Sequence, residues 1–270
     1  MEYFLIVDGF SSQHKPIRLK SGKNNLIDNM TINFEEITFE CEGRIHHGYL
    51  AWNDENDKLM PGVLVIHEWW GLNDYMKYRV GRLAQAGYCA LAVDMYGNGW
   101  IAKNPDEAGE VMNGVLGDMK LAGKRLQAGY DSLVGRAQVS DKTAAIGYCF
   151  GGAMALHMAR TGMPINAAVS FHGALGSFHK ASPGEIQAKI LVCHGKDDPM
   201  VNMDDVESFR LEMDEAKAEY DIEIYEDATH GFSSKEADNN NAKFGLPVGY
   251  NVNADRESWA SMIALFEKIF

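Results

Sequence analysis

Residues 147–152 read Gly-Tyr-Cys-Phe-Gly-Gly and join an apolar run, residues 144–148, to a segment with helical spacing, residues 150–160. Such a sharp strand-to-helix turn leaves room only for small residues on either side of its tip, and Gly147 and Gly151 provide them. The turn presents Cys149 at a helix N-terminus, where the helix dipole favours a thiolate. This pattern predicts that Cys149 is a nucleophile. The alternative is a buried cysteine that only packs beside a glycine-rich turn.

The segments on both sides of this turn alternate between strand and helix patterns. Four short apolar runs have the composition of strands that are buried on both faces. They occupy residues 63–67, 88–93, 167–171 and 190–193. Helical spacing separates most of these runs, which predicts a mostly parallel sheet with helices on both faces. Together with the turn at Cys149, this alternation predicts an α/β-hydrolase fold.

The length and the patterning of the chain predict one large domain. The chain has 270 residues, and regular alternation begins with a predicted hairpin whose strands cover residues 37–41 and 47–52. We interpret residues 34–270 as the hydrolase domain and the polar, irregular residues 1–33 as an N-terminal extension of uncertain structure. No apolar run has the length of a membrane span.

Charge and cysteine usage narrow the possible partners. The net charge is −13, which argues against nucleic acid or an anionic membrane as the main partner and leaves a small-molecule substrate. The four cysteines form no C-x-x-C pair, so neither a zinc site nor a disulfide framework is predicted. The first ten residues include Glu2 and Asp8 and are a poor secretory signal. We therefore expect a reduced, cytoplasmic protein.

Candidates for an acid and a base follow two later predicted strands. Residues 194–201 read His-Gly-Lys-Asp-Asp-Pro-Met-Val, where Asp198 fits the position of a histidine-orienting acid and Asp197 that of a solvated turn residue. His230 follows the last predicted strand, within Asp-Ala-Thr-His-Gly-Phe at residues 227–232. Cys149, Asp198 and His230 thus occur in the order nucleophile, acid, base, and we expect them to form a catalytic triad. Simple turn-forming roles are the alternative for both aspartates.

The loop after the predicted strand at residues 63–67 completes the candidate site. It reads His-Glu-Trp-Trp-Gly at residues 67–71. In an α/β-hydrolase this loop supplies one N–H of the oxyanion hole, and the residue after the nucleophile supplies the other. We therefore predict an oxyanion hole from the backbone amides of Trp69 and Phe150. No second histidine follows at the spacing of a zinc metalloprotease.

Taken together, these motifs resemble the dienelactone hydrolase family over about residues 34–270. The resemblance rests on His-Glu-Trp-Trp-Gly, Asp-Met-Tyr-Gly at residues 94–97, Gly-Tyr-Cys-Phe-Gly-Gly, His-Gly-Lys-Asp-Asp-Pro and Thr-His-Gly-Phe. It implies opening of a lactone by a Cys-His-Asp triad, with neither a metal nor a cofactor. It also implies that Glu68 contacts the Cys149 thiol and helps to deprotonate it when substrate enters. The alternative for Glu68 is an ion pair with Arg79 or Arg82.

Two positions depart from that family. The well-known enzymes hold the substrate carboxylate with two arginines, whereas this chain has Gly-Asn-Gly at residues 97–99 and Ser-Ser at residues 233–234 in those places. We therefore expect neutral lactones or esters to be better substrates than anionic ones. Lys235, Arg79 or Lys103 could replace the arginines if the fold brings one of them to the site.

Aromatic residues near the predicted strand ends are candidates for the wall of a substrate pocket. They are Trp70, Tyr96, Trp100 and Phe232, and His172 is a further candidate for substrate contact. Ordinary core packing is the alternative for each of them. Two other functions also remain open: a general carboxylesterase or thioesterase, and a ligand-binding or sensing protein with very slow turnover.

Overall fold

A single sheet of eight strands runs through the computed structural model, which describes residues 31–53 and 58–270. The strands are β1 (Ile32–Cys41), β2 (Arg44–Asn53), β3 (Met60–Ile66), β4 (Cys89–Val93), β5 (Val139–Tyr148), β6 (Ala167–Phe171), β7 (Lys189–Gly195) and β8 (Tyr220–Tyr225). Their order is β1-β2-β4-β3-β5-β6-β7-β8. Strand β2 pairs antiparallel with β1 and β4, and every other pair is parallel. The α/β-hydrolase fold predicted from the sequence is confirmed.

Seven helices within the described ranges cover this sheet on both faces. They are α1 (Asp74–Gln85), α2 (Pro105–Leu116), α3 (Met119–Val134), α4 (Phe150–Arg160), α5 (Met203–Ala216), α6 (Ala237–Phe244) and α7 (Val252–Ile269). None of them combines the length and the apolar composition that a membrane span requires, as far as the described residues go.

The apolar strands divide their side chains between two cores. Leu64 and Ile66 of β3 belong to a core that also includes residues of α2, α3, α4 and α5, whereas Val63 and Val65 belong to a second core with residues of α1 and α7 on the opposite face. Successive side chains of a strand point to opposite faces, so a strand that is covered on both sides must be apolar at every position. This requirement explains the uninterrupted apolar runs that the sequence shows.

Asparagine side chains fix the starts of several helices. Asn73 accepts a hydrogen bond from the amide of Met76 at the start of α1, and Asn202 caps α5 by accepting from Asp204 and Asp205. A side-chain oxygen at this position satisfies an amide that has no partner within the helix. These caps place the loops that precede α1 and α5, and both loops carry candidate site residues.

Most of the predicted extension, residues 1–33, lies outside the described residues. Strand β1 begins at Ile32, within the last two residues of that segment, and pairs with β2 along its whole length. Residues 54–57, between β2 and β3, also lie outside the described residues. The predicted hairpin is present as β1 and β2.

Candidate active site

Cys149 occupies the turn between β5 and α4 in a strained backbone conformation. Its φ and ψ are 54° and −117°, a region that L-residues other than glycine rarely adopt. A Cβ atom at Gly147 would lie 1.9 Å from the carbonyl oxygen of Gly151, and one at Gly151 would lie 2.1 Å from that of Ile66. Only glycine therefore fits at either position. The turn holds Cys149 at the carboxyl edge of the sheet, partly exposed.

His230 and Asp198 meet at the same edge. The Nδ1 atom of His230 donates a hydrogen bond of 2.8 Å to Oδ2 of Asp198. The other carboxylate oxygen accepts from the backbone amides of Met200 and Val201 at 2.8 and 3.0 Å. Burial opposes ionisation of Asp198, but these hydrogen bonds outweigh it and hold the pKa of Asp198 below its usual value. Asp197 is exposed, as a turn residue should be.

The second ring nitrogen of His230 is left on the side of Cys149. Nε2 is buried and makes no well-aligned hydrogen bond within the described part of the chain. Burial disfavours the charged ring, but the Cys149 thiolate and the Asp198 carboxylate outweigh burial and raise the pKa of His230 to about 10. Hydrogen bonds of this kind are often loose before substrate binds. His230 is thereby placed to carry a positive charge beside Cys149.

Glu68 is buried beside this pair. Burial raises the pKa of Glu68 to about 7, although the positive charges of His230 and Arg79 oppose the rise. Its carboxylate makes no hydrogen bond to another described residue. Arg79 instead donates to the Ser233 carbonyl oxygen at 2.7 Å and to Asp255 at 2.5 Å.

Arg82 does not pair with Glu68 either, because its guanidinium lies over the Trp259 ring, 4.0 Å from the ring centroid. Neither arginine that the sequence offered as a partner for Glu68 therefore forms a direct ion pair with it.

The two amides predicted for the oxyanion hole belong to residues near Cys149, since Phe150 follows it in the chain and Trp69 lines the same chamber. In the described ranges, the backbone N–H groups of Trp69 and Phe150 have no hydrogen-bond acceptor, which leaves both free for a ligand. The Trp69 loop is held from behind by Tyr96, whose hydroxyl donates to the Trp69 carbonyl oxygen at 2.8 Å. Donors that are fixed in place before reaction stabilise developing negative charge at little cost.

His67 anchors the same loop, a role that the sequence analysis did not assign. Its Nε2 accepts a hydrogen bond of 3.1 Å from the Met95 amide, which leaves Nδ1 to donate to the Glu68 carbonyl oxygen at 2.5 Å. His67 thereby ties the loop after β3 to the loop after β4. Its position directly before Glu68 in the His-Glu-Trp-Trp-Gly motif was the feature of the sequence that could have indicated this role.

Two adjoining cavities lie at these residues. The inner chamber has a volume of about 30 Å³ and the outer chamber about 200 Å³. Both are bordered by Glu68, Trp70, Ser234 and Asn240. The inner chamber is completed by Trp69, Cys149, His230, Gly231, Ala237, Leu246 and Val248. The outer chamber is completed by Asn73, Tyr75, Ile101, Ala102, Lys103, Glu236, Lys243 and Phe244.

The proposed pocket residues divide between the cleft and the structure behind it. Trp70 borders both chambers, whereas Tyr96, Trp100, His172 and Phe232 line neither. Tyr96 and Trp100 pack edge to face, with ring centroids 6.0 Å apart. Both residues lie at the predicted edge of the sheet, where the strands end at their carboxyl ends. Their side chains, however, turn toward the core.

His172 and Phe232 lie behind His230. The rings of His172 and His230 meet edge to face at 5.3 Å, and Phe232 packs against His172 at 5.1 Å. Burial holds the pKa of His172 well below its usual value, so the ring is neutral. Its Nε2 is 2.8 Å from the hydroxyl oxygen of Ser233. These two residues support His230 rather than face the cleft.

The two positions expected to hold arginines have different surroundings. Asn98 lines neither chamber and lies in a turn organised by the Asp94 carboxylate, which accepts the amides of Tyr96, Gly97 and Gly99. Ser234 borders both chambers, whereas Ser233 is buried behind them.

The basic residues that could replace those arginines lie at different places, and none of them lines the inner chamber. Arg79 is bound to Asp255, and Lys235 is exposed and lines neither chamber. Lys103 lines the outer chamber only, as does Lys243, which the sequence analysis had not singled out. Over residues 31–53 and 58–270, no cluster of three or more His, Cys, Asp or Glu side chains could hold a metal ion.

The sheet order and the turn at Cys149 define an α/β-hydrolase. The model of the dienelactone hydrolase family matches residues 47–270, so the chain belongs to the dienelactone hydrolase family and is a hydrolase acting on ester or lactone bonds. The resemblance inferred from the motifs is therefore confirmed.

Individual relatives match over most of the chain. Protein usf of Aquifex pyrophilus is 28% identical over 242 residues, which cover 86% of this chain and 97% of usf. A dienelactone hydrolase-like promiscuous phosphotriesterase from metagenomic libraries is 33% identical with a TM-score of 0.81, covering 88% of this chain and 99% of its own. The structure named m3DLH is 32% identical with a TM-score of 0.82 and the same coverage of both chains.

Proposed function

We propose that this hydrolase cleaves a lactone or carboxylic ester through Cys149, His230 and Asp198, by way of a thioester acyl-enzyme. The observation that carries the proposal is the 2.8 Å bond between His230 and Asp198, which leaves Nε2 of His230 for the thiol at the strained turn. A nucleophile, a base and an acid that orients the base are the parts that acyl transfer needs.

The reaction would proceed in two steps. The Cys149 thiolate attacks the carbonyl carbon, and the amides of Trp69 and Phe150 stabilise the oxyanion. The tetrahedral intermediate collapses to a thioester while the His230 imidazolium gives its proton to the departing alkoxide. His230 then takes a proton from water, the hydroxide attacks the thioester, and the thiolate departs as the carboxylic acid forms. In a lactone the alcohol and the acid remain parts of one product.

For Glu68 we propose a part in setting the charge state of the thiol. A carboxyl group with a pKa of about 7 exchanges its proton readily near neutral pH. The family resemblance implies contact with the thiol until substrate enters, and burial of Glu68 next to Cys149 in the inner chamber supports this role. A protonated thiol would resist oxidation between turnovers. We also propose a reducing, cytoplasmic location, where the four free cysteines would stay unpaired.

Trapping of the acyl-enzyme tests the mechanism. Mixing the protein with 4-nitrophenyl acetate should give a burst of nitrophenol and a mass increase of one acetyl group, located on the peptide that contains Cys149. Cys41→Ala, which alters a buried thiol in β1, should behave like the wild type, whereas Cys149→Ala should show neither signal. A steady rate without a burst in both variants would contradict covalent catalysis by Cys149.

The same measurement separates the alternatives. A burst followed by no further turnover would favour a sensing protein, and sustained turnover of thioesters or simple esters in preference to lactones would favour a general esterase or thioesterase.

Neutral phosphotriesters are a second candidate substrate class. The 33% identical promiscuous phosphotriesterase and the lack of Lys or Arg on the described wall of the inner chamber favour them. Hydrolysis of paraoxon that depends on Cys149 would support this activity.

A further inference from the structure

The two chambers differ greatly in size, and only the small one reaches the thiol. Cys149 and His230 line the inner chamber of about 30 Å³, much the smaller of the two. The outer chamber of about 200 Å³ begins beyond Glu68 and Trp70. Because the two chambers share Glu68 and Trp70, the outer one is available to parts of a substrate that do not fit beside Cys149.

Two lysines from separate elements meet at the outer chamber. Lys103 precedes α2, and Lys243 lies in the last turn of α6. Among the described residues neither forms an ion pair with a carboxylate, and the ammonium group of Lys243 lies 4.7 Å from the centroid of the Phe244 ring. Chain segments more than a hundred residues apart thus bring positive charge to one cavity.

Carboxylates on the same wall only partly offset this charge. Glu236 is exposed, and Glu68 has a pKa raised to about 7 by burial, so it carries a full charge only above neutral pH. Tyr75 is the remaining titratable group, and burial raises its pKa so that it stays neutral. Near pH 7 the titratable side chains that line the outer chamber therefore sum to a small net positive charge, on a chain whose formal net charge is −13.

Two aromatic side chains, Trp70 and Phe244, contribute to the wall of this chamber. The rings of Trp70 and Phe244 stack with their centroids 6.0 Å apart and their planes 30° from parallel. Such a surface suits a planar group. Trp70 also borders the inner chamber, and Phe244 follows Lys243 at the end of α6.

We propose that the outer chamber binds the departing portion of the ester, a planar group that carries an acidic substituent, and that Lys103 and Lys243 determine this specificity. The proposal rests on the proposed function. The acyl group stays on Cys149 until water attacks, which suits the smaller, more enclosed chamber. The departing portion must leave, and Lys103, Glu236 and Lys243 open the outer chamber to solvent.

This arrangement moves the anion site away from the thiol. In the well-known dienelactone hydrolases two arginines hold the substrate carboxylate, and their places hold Asn98 and the pair at residues 233–234 in this chain. Lys103 and Lys243 line only the outer chamber, so an anion bound there is separated from the reacting carbonyl by the boundary of Glu68 and Trp70.

Matched esters test the proposal. The substrates are the phenolic acetate of 4-hydroxycinnamate and that of its methyl ester, which differ in the charge at the far end. In the double variant Lys103→Gln/Lys243→Gln, the KM for the anionic ester should rise about tenfold while its kcat stays within twofold, since uniform binding is lost. The neutral ester should change less than twofold. Comparing each ester between enzymes cancels the difference in their intrinsic reactivity.

Lys235→Gln is the control, because Lys235 is exposed near the site but lines neither chamber. The proposal is overturned if the double variant affects both esters equally, or if Lys235→Gln matches its effect.

Calorimetric binding of 4-hydroxycinnamate, the product, separates this proposal from the proposed function. If the wild type hydrolyses neither these esters nor 4-nitrophenyl acetate nor a lactone, the proposed function fails. Product binding that is lost in the double variant would still support the lysine site, whereas equal binding to both proteins would overturn it.

Discussion

His230 and Asp198 are joined by a hydrogen bond of 2.8 Å between Nδ1 and Oδ2, and this bond decides which ring nitrogen is available to Cys149. The other oxygen of Asp198 is held by two backbone amides, so the carboxylate has one orientation. Because Nδ1 is occupied, the proton that enters or leaves during reaction must use Nε2. The mechanism proposed for the site depends on this single arrangement.

Loss of either reacting side chain should abolish activity without unfolding the protein. We predict that Cys149→Ala and His230→Ala each lower kcat/KM for an activated ester by at least about a thousandfold, because members of a triad act as a unit. Steady-state rates and circular dichroism check this, with Cys41→Ala as a control distant from the cleft. Activity within tenfold of the wild type in folded Cys149→Ala would contradict the mechanism.

Cys149 should be the most reactive thiol of the native protein. Burial raises the pKa of Cys89 to about 12 and also raises those of Cys41 and Cys193, whereas Cys149 is partly exposed beside His230. With a limiting amount of iodoacetamide, peptide mapping should find at least about ten times more label on Cys149 than on any other cysteine. In urea all four should react alike. Preferential labelling of Cys89 or Cys193 in the native protein would contradict the assignment.

The charge of Glu68 should be visible in the alkylation of Cys149. Its raised pKa means that the carboxyl is neutral below about pH 7 and gains its negative charge as the pH rises through that value. The charge repels anionic iodoacetate but not neutral iodoacetamide. The rate of alkylation by iodoacetate, divided by the rate with iodoacetamide, should therefore fall severalfold between pH 6 and pH 8 in the wild type.

Two variants make this measurement specific. In Glu68→Gln the ratio should stay constant with pH, because no carboxyl is left to ionise beside the thiol. Glu236→Gln removes a carboxylate that lines only the outer chamber, and it should preserve the fall. A fall that survives in Glu68→Gln would assign the titration to another group.

The turn at Cys149 should tolerate no side chain at Gly147. A Cβ atom there would lie 1.9 Å from a backbone oxygen, which cannot move aside as a flexible side chain could. We predict that Gly147→Ala lowers the free energy of unfolding by at least about 3 kcal/mol, since ordinary overpacking already costs about 1–3 kcal/mol. Urea denaturation checks this.

Gly109, inside α2, supplies the matched control. Its added Cβ would meet no atom within 4 Å, so Gly109→Ala should gain about 0.5–1 kcal/mol from helix propensity. A loss below about 1 kcal/mol in Gly147→Ala would show that the turn can relax.

The elements that local chemistry specifies were predictable from the sequence. Helix α4 and strand β6 have the predicted bounds, because apolar runs and the glycines of the turn mark them directly. Strand β5 begins five residues before its predicted start, since residues 139–143 are mostly polar where the strand emerges from the core. Helix α6 was not predicted. It buries only Ala237 and has no side-chain cap, so its sequence carries neither periodicity nor a start signal.

The shape of the cleft could not be predicted for the same reason. Chain order placed Cys149, Asp198 and His230 at one edge of the sheet, because strand ends in a parallel sheet share an edge. The wall of the inner chamber instead depends on α6 and on Leu246 and Val248 beyond it, which no local pattern directs to the site. For Tyr96 the predicted position at the end of a strand was correct, but its side chain points behind the cleft rather than into it.

The last prediction concerns a compact substrate. In a dienelactone the carboxylate lies within a few bonds of the lactone carbonyl, so it stays close to Cys149. The described lining of the inner chamber includes no Lys or Arg. Two charge-assisted contacts worth about 1.5–3 kcal/mol each are therefore missing. We predict that kcat/KM for the methyl ester of a dienelactone exceeds that for the free acid at least about tenfold, after each is divided by its rate with hydroxide. A preference for the free acid would refute this. Lys103→Gln and Lys243→Gln would then show whether either lysine reaches the carboxylate, with Lys235→Gln again as the control.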